Sequence, residues 1–302
     1  MEAPEIYGTV RSAVGVLVRG VTDRSFRLSA YEVGQDHDKK RQKMTQFIRY
    51  SNTQINYGIL EGDQISELQG NLFEHIITGV KRKLSDVKLL APLVPKKILA
   101  VGRNYKTHLT GPVKLPEPTR PEIFFKPTSS LQDPEGPIVV PGDSTNLHFE
   151  GELVLVIGRQ MRHVSKEEAA AGIFGVTCGN DVSERDWQRG PDKDVQWWRA
   201  KGCDTFSPLG PIVVTGIDYA NLHLQTRVNG EIVQDQSTAD LIFDCPTVVS
   251  FMSRYLTLEQ GDVVYTGTPG QTRAMKPGDT VEIEIERIGV LRNPVIADSA
   301  VR

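Results

Sequence analysis

From Met44 onward the chain is a succession of short apolar runs punctuated by Gly, Pro and Asn-Gly, and this punctuation limits the fold more than any other feature. EIFFKP, PIVVPG, GELVLVIG, GIFGVTCGND, GPIVVTG, LQTRVNGEIVQ, DVVYTGTPG and DTVEIEIERIG all read as strands closed by turns. Only SKEEAAAG and PTVVSFMSRYL read as helices among them, the second with Pro246 in its first turn. The predicted class is mixed and predominantly β.

Three regions follow from the same reading. Residues 1–43 carry the polar patch YEVGQDHDKKRQK and no evident core face, so they are expected to form an N-terminal extension of poor order. Residues 44–92 are expected to form a small N-terminal domain, with EGD as a hairpin turn and a helical stretch near Leu72–Val80. APLVPKK then leads into the strand KILAVG and a main domain over 93–302.

Composition removes several function classes. A formal net charge of −3 and a pI near 6.1 create no field that would gather nucleic acid or an anionic membrane. Cys178, Cys203 and Cys245 lie far apart without a C-x-x-C pair, which writes neither a disulfide framework nor a structural zinc site. No apolar run approaches the roughly 18 residues of a membrane span. A cytoplasmic protein without nucleic-acid or membrane partners is the expectation.

Against that background NLHFEGELVLVIG stands out, because two glutamates open a run that is otherwise apolar. If the run is a strand, His148, Glu150, Glu152, Val154 and Val156 share one face, with the two carboxylates roughly 7 Å apart at Cα. Burying either without a partner costs several kcal/mol. Arg or Lys side chains would supply the cation, and the pair alone leans that way. A divalent metal would supply it too, given a third oxygen ligand.

Asp181 in GNDVSERDWQRG is a candidate for that ligand, with Arg185 and Gln188 placed by spacings of four and three on one side of a helical turn. The spacing alone describes a surface salt bridge equally well. Lys201 follows in VQWWRAKGCDTF, where Trp197 and Trp198 read as packing residues. TGTPG reads as a turn whose hydroxyls and amides could hold an anion, and His148 as packing beside the glutamates.

GRNYKTH, HFEGELVLVIG, NDVSERDWQ, RAKGCDTF, TGTPG and KPGDTVEIEIERIGVLRNPV, taken in series, resemble the fumarylacetoacetate hydrolase superfamily over about residues 95–295. The resemblance implies a β-roll with a small N-terminal domain, assembled as a homodimer. It makes Glu150, Glu152 and Asp181 the metal ligands, for Mg²⁺ or Mn²⁺ with Ca²⁺ also suited to an all-oxygen site. Arg185, Gln188, Lys201 and Thr268 would face the substrate, Lys201 with a catalytic part, and His108 would activate water.

The implied substrate is a 2-oxo acid or dicarboxylate of the acylpyruvate type. The implied reaction is hydrolysis of a carbon–carbon bond through an enolate. Decarboxylation, or isomerisation of 2-oxo and 2-hydroxy-diene dicarboxylates in aromatic catabolism, uses the same electron sink. A protein of another class, which only binds metal and small diacids, is the remaining alternative. One departure from the family pattern bears on this choice. Hydrolytic members often carry Glu three residues after the histidine, whereas this chain reads His108, Leu109, Thr110, Gly111.

Overall fold

The strand Gly151–Ile157 is buried at every position, because it is paired on both edges and covered on both faces. Ile173–Asn180 runs antiparallel along one edge, with Gly151 opposite Asn180, and Val263–Tyr265 runs antiparallel along the other, with Val154 opposite Tyr265. Alternate side chains enter different cores. Leu153, Leu155 and Ile157 pack with Val176, Val214 and Ile283, while Val154 and Val156 pack with Leu209, Val213 and Tyr265. A strand that serves two cores has no polar face, which is why GELVLVI is a continuous apolar run.

This is a computed structural model, and it describes residues 43–110, 115–191 and 193–299. The extension expected over residues 1–43 lies, apart from Lys43, outside the described residues. The main sheet has 12 strands. Its path is His75–Lys83, Gln64–Gly70, Ile55–Glu61, Thr45–Ser51, Ser207–Thr215, Ile173–Asn180, Gly151–Ile157, Val263–Tyr265, Ile98–Gly102 and Glu122–Lys126. Lys88–Leu90 and Leu131–Gln132 pair off this path. Thr45–Ser51 pairs with Ser207–Thr215, with Phe47 opposite Val213, so the segment following Met44 continues the sheet that carries the central strand.

A second sheet of five strands runs Glu231–Ser237, His223–Val228, Thr280–Ile285, Gly289–Ala297 and Ile138–Val140. The hairpin between its first two strands turns at Asn229 and Gly230, with φ of 54° and 82°, the left-handed pair that a two-residue turn requires. Leu147–His148 and Ser183–Glu184 form a small third pair beside the central strand. The predominantly β class is what the fold displays.

Both helices predicted for the main domain form. Lys166–Gly172 starts at a capping box in which Ser165 and Glu168 satisfy each other's backbone N–H, and Cys245–Ser253 starts at Asp244, whose carboxylate accepts the Thr247 amide. The helix expected near Leu72–Val80 does not form. His75–Lys83 is instead an edge strand paired with Gln64–Gly70. Apolar residues at 72, 73, 76, 77 and 80 mimic helical spacing, but Ile76 and Ile77 are exposed, and β-branched residues beside an open sheet edge complete the ladder instead. No helix among the described residues is long and apolar enough to cross a membrane.

Candidate active site

The start of Gly151–Ile157 and the ends of Ile173–Asn180 and Val263–Tyr265 meet at one end of the main sheet, and the functional side chains gather there. Glu150 is fixed by its backbone before its carboxylate is considered. Its N–H donates to Asn180 Oδ1 at 2.9 Å, and its C=O accepts the Asp181 N–H at 2.9 Å. Glu152 lies in the strand itself, and the Gly267 amide of TGTPG donates to its Oε2 at 2.7 Å. The turn therefore holds an anion of the protein itself.

Glu150, Glu152 and Asp181 each offer an oxygen within 4.8 Å of the others, and all three are buried. Lys201 Nζ bridges two of them, 2.5 Å from Glu150 Oε2 and 2.6 Å from Asp181 Oδ2. Arg185 Nη2 donates to Glu150 Oε1, and Arg185 Nη1 donates to Gln188 Oε1 at 2.8 Å. Lys126 Nζ, at the end of Glu122–Lys126, donates to Asp181 Oδ1 at 2.5 Å. Three carboxylates thus face three buried cations, one more than Arg185 and Lys201 alone supply.

The compensation is uneven. Burial alone would raise the Glu150 carboxyl, but the Arg185 and Lys201 cations outweigh it and hold that carboxyl well below the usual carboxylate range. No cation is bonded to Glu152 among the described residues, and Lys201 acts on it through its charge alone. Burial, then the charges of Asp181 and Glu150, push it well above the ordinary range, and the Gly267 amide opposes this only in part. An additional cation beside Glu152 would relieve that repulsion. The donor set is all oxygen, buried and hard, and so fits a divalent ion of the Mg²⁺, Mn²⁺ or Ca²⁺ type.

His108 lies on the short 3₁₀ turn Lys106–Leu109. Its Nδ1 is 2.7 Å from the Gly270 carbonyl, which can only accept, so Nδ1 carries the proton. Nε2 is left unprotonated, 3.9 Å from Glu150 Oε1. Burial lowers the His108 pKa below its ordinary value, which keeps the ring neutral near pH 7. A backbone carbonyl thus orients this ring.

His148 stays outside the carboxylate triad. Its two nitrogens bond Thr272 Oγ1 at 2.9 Å and Asn146 Oδ1 at 2.8 Å, and burial together with Arg185 lowers its pKa to about 4. Thr268 borders the site, but its hydroxyl accepts from Gln234 Nε2 at 2.7 Å and donates to the Gly151 carbonyl at 3.0 Å. That hydroxyl serves the scaffold.

The triad lies in a cavity of about 630 Å³ that also presents His108, Gln188, Lys201 and Trp197. Trp197 meets Phe124 edge-on at 5.5 Å and forms the apolar wall with it, while Trp198 projects outward, 70% exposed. The two tryptophans read together as packing residues thus have separate fates. Lys201 reaches the carboxylates from Trp198–Gly202, a helix not anticipated from the sequence. Asp181 lies ahead of the helix Arg185–Arg189, which carries Arg185 and Gln188 but not the aspartate expected on the same turn.

Residues 97–296 match the family described as fumarylacetoacetate (FAA) hydrolase C-terminal, and residues 44–92 match one described as Rv2993c-like, N-terminal. Protein Rv2993c of Mycobacterium tuberculosis is 45% identical over 222 residues, 72% of this chain and 82% of its own length. A mitochondrial oxaloacetate tautomerase of Homo sapiens is 40% identical over 223 residues, 70% of each chain. The crystal structure of 2-hydroxyhepta-2,4-diene-1,7-dioate isomerase from Mycobacterium marinum superposes with a TM-score of 0.78 at 39% identity, over 84% of this chain and 99% of that one. The central strand, the carboxylate triad and these likenesses together assign the chain to the fumarylacetoacetate hydrolase family.

Proposed function

We propose that this chain is a divalent-metal-dependent isomerase that interconverts the keto and enol forms of 2-oxo dicarboxylates. The observation that carries the reading is the environment of His108, a neutral buried imidazole with one nitrogen pinned by a carbonyl and the other unprotonated. Such a ring can take a proton from the carbon beside a keto group and return it. The glutamate that hydrolytic family members often carry three residues after this histidine is missing from the sequence, where Gly111 stands. Relatives named as an isomerase and a tautomerase support the same choice.

Glu150, Glu152 and Asp181 would hold the ion, which when bound supplies positive charge that favours the enolate form of a 2-oxo acid. Arg185 and Lys201 add fixed cations that attract the substrate carboxylate, and Gln188 orients it. Trp197 and Phe124 exclude water on one side, which strengthens each of these interactions. His108 Nε2 moves a proton between carbon and solvent. Every atom of the substrate is retained and no water is consumed.

A second reading, hydrolysis of an acylpyruvate into two acids, is favoured by the same Nε2 if a water rather than a carbon faces it. Adding enol oxaloacetate to Mg²⁺-loaded or Mn²⁺-loaded protein and following the decay of its ultraviolet absorbance tests the choice. Decay faster than in buffer, without cleavage of acylpyruvates, is the expected result. Acylpyruvate cleavage at a comparable rate would move the conclusion to hydrolysis. Neither reaction would leave a protein that binds metal and diacids without turnover.

A further inference from the structure

Arg189 follows Gln188 at the end of the helix Arg185–Arg189, four residues beyond Arg185. A spacing of four places two side chains on one helical face about one turn apart. Arg185 is buried and bonded to Glu150, whereas Arg189 is exposed and borders the cavity that contains the triad. Among the described residues Arg189 makes no hydrogen bond or ion pair, and neither does Arg120 of the same cavity. Arg103, another guanidinium bordering it, is already paired with Glu122.

A guanidinium without a partner among the described residues is the side chain best shaped for a carboxylate, because its planar fork matches the two oxygens. Around Arg189 the balance of charge is unfavourable without one. Partial burial, then the like charge of Arg185, lower its pKa below the ordinary arginine value, Glu150 opposes this, and Arg103 adds to the repulsion. An anion at this position would therefore be attracted by more than one cation, while the inner carboxylates are already matched by Lys126, Arg185 and Lys201.

We propose that Arg189, aided by Arg120, receives the second carboxylate of the substrate and so makes the site select 2-oxo diacids over 2-oxo monoacids. The inference rests on the functional reading above, which gives the triad end of the cavity to the 2-oxo acid group. Arg185 and Arg189, one helical turn apart, then serve the two ends of a single short diacid. Chain length follows from the same geometry, since the distal carboxylate has to reach past Gln188.

Calorimetry on the Mg²⁺-loaded full-length protein tests this without relying on turnover. Oxalate is titrated first, then 2-oxo acids paired by chain length, 2-oxoglutarate against 2-oxovalerate and 2-oxoadipate against 2-oxohexanoate. The diacid of at least one pair is expected to bind about 10-fold or more tightly than its monoacid, the worth of one charge-assisted contact. Arg189→Gln should bring that ratio close to one, and Arg189→Lys should keep part of it by retaining charge without the fork. A ratio near one in the native protein, or a ratio unchanged in Arg189→Gln, overturns the inference while leaving oxalate binding intact. Failure of oxalate itself to bind would instead overturn the functional reading, and this inference with it.

Discussion

Two ion pairs belong to the same cavity region and differ in almost everything but their chemistry. Lys126 and Asp181 meet at 2.5 Å with side chains 0% and 2% exposed, whereas the Arg103 and Glu122 side chains at the rim are 27% and 38% exposed. Both are charge-assisted hydrogen bonds. Only the inner one cannot be replaced by water, so losing a partner there leaves a buried charge with no alternative solvation. At the rim water substitutes readily. Burial, more than the identity of the pair, decides which residues the fold depends on and which are free to tune selectivity.

The largest expected effect breaks the inner region at its carboxylates. Glu150→Gln and Glu152→Gln should each abolish Mg²⁺ or Mn²⁺ binding measured by calorimetry, and the stability of the ion-free protein should separate them. Glu152→Gln removes the repulsion from Asp181 and Glu150 while keeping an oxygen for the Gly267 amide, and should raise the melting temperature. Glu150→Gln strips Arg185 of its anion and leaves Lys201 with only Asp181, and should lower it. Undiminished metal binding in both variants would remove the metal-site assignment.

Lys126→Met comes next. It leaves Asp181 with one cation instead of two, and removal of one partner from a buried pair costs about 3–5 kcal/mol. Chemical denaturation should register a loss of that size, and a change under about 1 kcal/mol would mean that the buried pair is solvated after all. His108→Ala should then lower kcat by about 10²-fold with KM little altered, as removal of a general base does. A rise in KM with kcat preserved would make the ring a binding residue. Glu122→Gln is the smallest, with a stability change within about 1 kcal/mol, as for other partly exposed pairs. A larger loss would show that the rim is not the solvated region its exposure indicates.

The inner region was the more legible of the two in the sequence. Glu150 and Glu152 announce themselves because charge at the head of a two-sided apolar strand demands an explanation. Lys126 escaped because a lysine closing EIFFKP looks like an ordinary strand end, and its partner Asp181 is 55 residues away. Arg189 escaped for a different reason. Arginine beside Gly-Pro is commonplace at a surface, and only the cavity reveals that it borders the carboxylate triad's pocket. The strand His75–Lys83 was misread because spacing measures one chain against itself, whereas strand formation depends on the open edge of a neighbour.

The bonds that build the site join residues far apart along the chain, with separations of 51 for Lys201 to Glu150, 115 for Gly267 to Glu152 and 162 for His108 to Gly270. Loops of that length close late, after the local hairpins that flank them. The three carboxylates lie on or just beyond two strands that pair directly, but Lys201, the Gly267 amide and His108 join them only across these longer loops, so only the finished chain offers the complete site. A metal ion then acts on folding only through the finished state, slowing its loss by mass action and doing nothing to speed its arrival. Added Mg²⁺ should lengthen the lifetime of the native protein in denaturant and leave the refolding rate unchanged.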